Sequence, residues 1–167
     1  MIAKSYINEN LYSLDRLYNK STGNKKKLYY SKLALLELCG WLEESMDDIA
    51  LRSSSRVLKD ASSKKYFSDR VVKRTFGFEY EKHFKNMIVS LIGLTGWEKL
   101  EKKIDAAVLI TFKATLGNLK AMRNKEAHTH LKGTQRLVDA PSLTINNFGK
   151  LYKGLKEFEK KLKEMGY

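Results

Sequence analysis

Apolar residues recur three or four positions apart along most of this chain, the spacing that gathers them on one face of an α-helix. Leu11, Leu14 and Tyr18 share one side of a helix predicted from about Ile7 to Lys20, closed by the turn-rich "STGNKKK". The clearest stripe is Leu35, Leu38, Cys39, Leu42, Met46 and Ile49, so a second helix must face a core. Residues 52–78 lose this period and become rich in serine and lysine, which predicts an irregular or partly helical connection. Phe84, Met87, Ile88, Leu91 and Ile92 restore the helical spacing until "GLTG" at 93–96 breaks it.

A fourth helical stretch is expected from near Trp97 through "IDAAVLITF". It is apolar on nearly every side, which predicts the most buried element, and Gly117 leaves open whether it bends. "LKGTQRLVDAPSLT" supplies a helix stop and a loop, with Thr144 as an expected N-cap. The last helix carries Phe148, Leu151, Leu155, Phe158 and Leu162, a narrow seam best used for packing on its own bundle. No stretch alternates as a half-buried strand does, and the only proline is Pro141. The expected architecture is all-α, a compact bundle of four to five helices in one domain over residues 1–167.

Composition narrows the classes. A 43% hydrophobic content is too high for a mainly disordered chain, and with 31% charge no apolar run nears the twenty or so residues of a membrane span. The first twenty residues are interrupted by charge every few positions, unlike a secretory leader, so a cytoplasmic protein is expected. Cys39 is the single cysteine, which excludes an internal disulfide and a cysteine zinc cage; within "LLELCGWL" it reads as a buried apolar residue. The net charge of +13 attracts polyanions, of which nucleic acid is the commonest in the cytoplasm. "NKKKLYY" at 24–30, with Lys25, Lys26 and Lys27, and "SSKKYFSDRVVKR" at 62–74 are nearly free of acid and interleaved with aromatics, as a surface for phosphates and bases would be.

Two of the three histidines lie in "MRNKEAHTH", residues 122–130. On a continuous helix Asn124 and His128 share a face, whereas Arg123 and His128 are about 140° apart around the axis. One chain thus presents a broad polar arc rather than a tight pair. RNA cleavage needs a group to take the 2′-hydroxyl proton, a group to protonate the leaving oxygen, and positive charge for the developing phosphorane. Histidine can do either proton transfer near neutral pH, and arginine offers a permanent forked donor to phosphate oxygens. The same residues also suit structure: His128 could cap a helix C-terminus and Arg123 could pair with Glu126, one turn away.

"RNKEAH" resembles the R-x4-6-H signature of the HEPN superfamily (higher eukaryote and prokaryote nucleotide-binding), including the asparagine directly after the arginine. "LKAMRNKEAHTH" is similar to the late-helix motif of these domains, and "SKLALLELCGWLEESMDDI" to a second helix of their stand-alone toxin and defence branch. The resemblance implies a helical homodimer with two motif copies in one interfacial cleft, and a metal-independent endoribonuclease that needs no cofactor. Toxin–antitoxin and antiviral roles are implied with it, as is an antitoxin or other protein regulator. Carried onto this sequence, Arg123 holds the scissile phosphate, His128 is the general acid or base, and Asn124 positions the partner groups. Lys120 before the motif and Lys125 within it are expected as further RNA contacts, and His130, to which the resemblance gives no role, reads as a secondary phosphate contact or an exposed residue. His130 stands where one toxin branch has the tyrosine that accepts adenylate, so that mode of neutralisation does not fit this position.

Glu37, Glu43, Glu44, Asp47 and Asp48 form an acidic patch in a lysine-rich chain. Their i, i+4 pairs fit a metal site or a carboxylate that tunes the histidine, but an acidic face or a salt-bridge partner for Arg123 is the simpler expectation. The resemblance points to Glu44 as the auxiliary acid beside the motif, with no metal. The alternatives to the enzyme are a catalytically silent HEPN module that binds RNA or a protein partner, and a helical DNA-binding regulator. No helix-turn-helix spacing supports the latter.

Overall fold

The computed structural model describes residues 2–127 and 138–167, and among them there is no strand. Six α-helices follow one another: α1 (Ser5–Lys20), α2 (Asn24–Val57), α3 (Ala61–Tyr66), α4 (Lys85–Lys103), α5 (Ala106–Ala127) and α6 (Pro141–Glu164). Five are long, and the sixth, α3, is a single short helix inside the segment expected to be only partly helical. None is long and apolar enough to cross a membrane.

The five long helices form one bundle because each buries apolar side chains, whereas α3 buries none. Ile7, Leu11 and Leu14 of α1 meet the α2 stripe, where Leu35, Leu38, Cys39, Leu42, Met46 and Ile49 are all buried as their spacing predicts. α6 lies against α1, α2 and α5, and its whole seam from Phe148 to Leu162 is buried within this chain. Beneath it Phe158 sits among Trp97, Phe84, Tyr80 and Phe112, with ring centroids 5.1–6.0 Å away. Gly154 lets α5 and α6 approach closely, since a Cβ there would lie 2.6 Å from Phe112 Cγ.

Several boundaries differ from the pattern. α2 runs on to Val57 through "RSSS" because Ser54 and Ser55 return their hydroxyls to the Leu51 carbonyl and Ser53 and Ser54 are small enough to be buried. Residues 67–74 tighten and widen through a π-turn and a 3-10 turn, and a second π-turn spans Tyr80–Phe84. Gly93 breaks α4 internally with a φ of 71°, where the glycine spacing places the break. A further break at Ile104 was not legible from hydrophobicity. There Asp105 accepts a hydrogen bond from the Val108 N–H at 2.9 Å and starts α5 as its cap.

α5 is not the most buried element. Phe112, Thr115, Leu116 and Leu119 face inward, while Ala107, Ala114, Gly117 and Ala121 face outward and Ile110 is 70% exposed. Small residues make the outer face look apolar in sequence without requiring burial. The helix runs through Gly117 to Ala127. Thr144 is buried inside α6 rather than capping it, because Pro141 already occupies the first helical turn, where its missing N–H costs nothing.

Candidate functional site

Three elements meet at the C-terminal half of α5. α2 contributes Glu43 and Asp47, residues 77–83 contribute Glu79 and His83, and α5 contributes Lys120, Arg123 and Asn124. Lys120 and Arg123 are three residues apart and therefore neighbours on one helix face, anchored by the buried Leu116 and Leu119 behind them. Lys120 Nζ pairs with Glu79 Oε2 at 2.6 Å, and this pair holds Glu79 below the usual carboxylate range. Both side chains are partly solvated, so the pair orients more than it stabilises, at about 1 kcal/mol or less.

Arg123 is held differently. Its Nη2 lies 3.7 Å from Glu43 Oε1, an ion pair beyond hydrogen-bond reach, and its side chain is 42% exposed. A guanidinium has five N–H donors, so this loose contact fixes its position while leaving it able to take another acceptor. Asn124 beside it is exposed. His128 and His130 lie outside the described residues.

Glu44 turns to α1, where it accepts a hydrogen bond from the Tyr6 hydroxyl at 3.2 Å, and among the described residues it is not the carboxylate paired with Arg123. One residue is 100° of helix, and that rotation gives Glu43 the place beside Arg123 instead. Lys25, Lys26 and Lys27 are also elsewhere. They open α2, roughly 24 Å along its axis from Glu43, and Lys25 and Lys27 lie over the Tyr29 and Tyr18 rings. Lys125 is exposed five residues past Lys120, about 140° around the axis from it. Cys39, buried behind Arg123, has its thiol pushed up to about 12 by burial, which keeps it protonated and inert.

The acidic patch is divided by this packing. Among the described residues no group of three or more His, Cys, Asp or Glu side chains is arranged to hold a metal ion. Asp47 is half-buried, and burial together with the charges of Glu43, Asp48 and Glu44 raises its pKa to about 6. A carboxyl whose folded pKa is raised binds its proton more tightly in the native state, so stability falls as pH rises from about 4 through about 6. Asp47→Asn is therefore expected to stabilise the protein at pH 7.5 and to change nothing near pH 3.5. After allowance for solvent screening, the gain is on the order of 1 kcal/mol, read as a rise in Tm of about 2–4 °C. An equal rise at both pH values would assign the effect to packing.

His83 was not singled out by the sequence, where it stands alone without a partner motif. Its Nδ1 accepts the Glu79 backbone N–H at 3.0 Å, so the neutral ring carries its proton on Nε2. Gly77, at a φ of 122°, lies against the ring, and a Cβ there would come within 2.7 Å of Cε1. Burial lowers the His83 pKa, with Lys82 and Lys120 adding to the effect and Glu79 and Glu43 opposing it. The hook is thus intact above the ordinary imidazole pKa of about 6.5 and is released as pH falls through the lower folded value. An NMR titration is expected to find the Nε2–H tautomer at pH 7.5 and a midpoint below that of free histidine. A midpoint above it would contradict the hook.

The arrangement offers two cations one turn apart, each facing a carboxylate, and an exposed asparagine beside them. No protein-family model, no curated protein and no solved structure matches this chain.

Proposed function

We propose that this protein is a metal-independent endoribonuclease of the HEPN type that acts as a homodimer in toxin or phage defence. The observation that carries the reading is "RNKEAH", residues 123–128, whose first five residues lie in the last turns of α5. Support comes from the loose tether of Arg123 to Glu43, which suits a guanidinium that must accept a phosphate, and from the net charge of +13. The outward face of α5, with Ile110 among alanines and Gly117, is smooth enough for close approach by a second copy.

In this reaction a base removes the 2′-hydroxyl proton and the freed oxygen attacks the adjacent phosphorus. The 5′-oxygen of the next nucleotide leaves with a proton from an acid, and the product keeps a 2′,3′-cyclic phosphate. His128 serves as the acid or base, Arg123 holds the non-bridging oxygens as charge grows on them, and Asn124 orients the hydroxyl or the imidazole. Two motif copies facing one another resolve the wide angle that the spacing of Arg123 and His128 would give on a continuous helix.

The test is cleavage of end-labelled total RNA by the purified protein in excess EDTA. Discrete products ending in cyclic phosphate, absent with His128→Ala, are expected. RNA binding without cleavage would replace the enzyme by a catalytically silent RNA-binding module.

A further inference from the structure

Phe76 is 82% exposed, more than any other large apolar side chain among the described residues. Its backbone is nonetheless fixed on both sides. Thr75 caps the preceding turn, its N–H donating to the Val72 carbonyl at 2.9 Å and its hydroxyl to the Val71 carbonyl at 2.8 Å. Gly77 is pressed against the His83 ring, and Phe78 is buried in the core. An aromatic ring is therefore held in solvent on a braced turn, where flexibility does not explain it.

The surroundings are cationic. Residues 62–74 carry Lys64, Lys65, Arg70, Lys73 and Arg74 against the single acid Asp69, which is neutralised by Lys73 at 2.8 Å. Tyr66, 67% exposed, is a second ring in the same run. The turn is also tied to the motif: Glu79, three residues after Phe76, bridges to Lys120, one helical turn from Arg123. Three residues of chain span at most about 11 Å, so the turn that carries the ring is tethered to α5 through this pair.

Resting on the endoribonuclease reading, we propose that Phe76 is a stacking platform for an unpaired base of the bound RNA strand, with Arg74 along the backbone. This makes single-stranded RNA the substrate class, because a base paired within a duplex cannot present its face to the ring. Base stacking on an aromatic side chain tolerates any sequence, so Phe76 sets strandedness rather than sequence.

The experiment uses the full chain in EDTA with a 2′-O-methylated, uncleavable oligouridylate carrying one 2-aminopurine, whose fluorescence is quenched on stacking. The parent and Phe76→Tyr are expected to bind it with quenching, and duplex RNA of the same length should compete poorly. Phe76→Leu, which keeps apolar bulk without an aromatic face, is expected to bind at least roughly five-fold more weakly and without quenching, at unchanged Tm. Parent-like affinity and quenching in Phe76→Leu, with the parent still cleaving RNA, would overturn the platform alone. A shift in oligomeric state with RNA binding intact would overturn it in favour of an interface between copies. A parent protein that neither binds nor cleaves RNA would remove the enzyme reading together with the platform.

Discussion

Arg123→Ala and His128→Ala are each expected to lower RNA cleavage at saturating substrate by at least about a hundred-fold, without loss of fold. Removing a general acid or base typically costs 10²–10⁴-fold, and removing a charge stabiliser of the transition state roughly 10²–10³-fold. Arg123 stands half-exposed at the end of α5 and pairs with Glu43 only at 3.7 Å, so its loss leaves the core untouched. Arg123→Lys should recover little, because a point charge cannot reproduce a forked grip on two phosphate oxygens. The effect belongs in kcat: a change confined to KM would make Arg123 a binding residue only.

The same two variants test the homodimer. If each site takes Arg123 from one subunit and His128 from the other, a heterodimer of the two variants contains one intact site. Unfolding and refolding an equimolar mixture should then restore roughly a quarter of parental activity, as random pairing in a two-fold assembly requires. A mixture as inactive as its components would place both residues of a working site in one subunit.

Phe158→Ala is expected to have the largest effect on stability, about 3–5 kcal/mol, with Tm lowered by roughly 10 °C or more. Phe158 is fully buried, stacks with Trp97 at 17° between ring planes, and meets Phe84 edge-on at 5.1 Å. Its removal opens a cavity where α4, α5, α6 and the turn at 80–84 converge, and aromatic rings cannot collapse to fill it. The turn at 80–84 carries His83, so the variant should also loosen the Gly77–His83 contact and broaden the His83 ring signals at temperatures well below the transition. Chemical denaturation with an unchanged m-value would assign the loss to packing; a loss below about 1 kcal/mol would mean that the rings repack.

Much of this fold is legible in one dimension. The stripes of α2 and α6 are long, strongly periodic and buried where their spacing places them, because a helix with one apolar face has a single way to hide it, and in α1 Leu11 and Leu14 are buried while Tyr18 stays half-buried. The all-α class follows from the same periodicity. α5 misled for the opposite reason: alanine and glycine count as apolar yet are content at the surface, so a helix of small residues has no readable inner side. Residues 52–78 were opaque beyond the end of α2 because a short helix, a single π-turn and a single 3-10 turn are too brief to show a repeat.

The candidate site divides along a similar line. The residues of "RNKEAH" and their chemical capacities belong to the sequence alone, as does the basic charge; that α5 runs unbroken through Gly117 to Ala127 was left open by the sequence and decided by the structure. Only the tertiary structure decided that Glu43 rather than Glu44 stands beside Arg123, that Lys120 is tied to Glu79, and that Lys25, Lys26 and Lys27 lie at the far end of α2. It also brought forward His83 and Phe76, which no local pattern marked. The physical reason is range. Helical periodicity is fixed by neighbours three and four residues away, whereas the Lys120–Glu79 pair joins side chains 41 residues apart, and such a meeting exists only once the bundle has set the rotation of each helix.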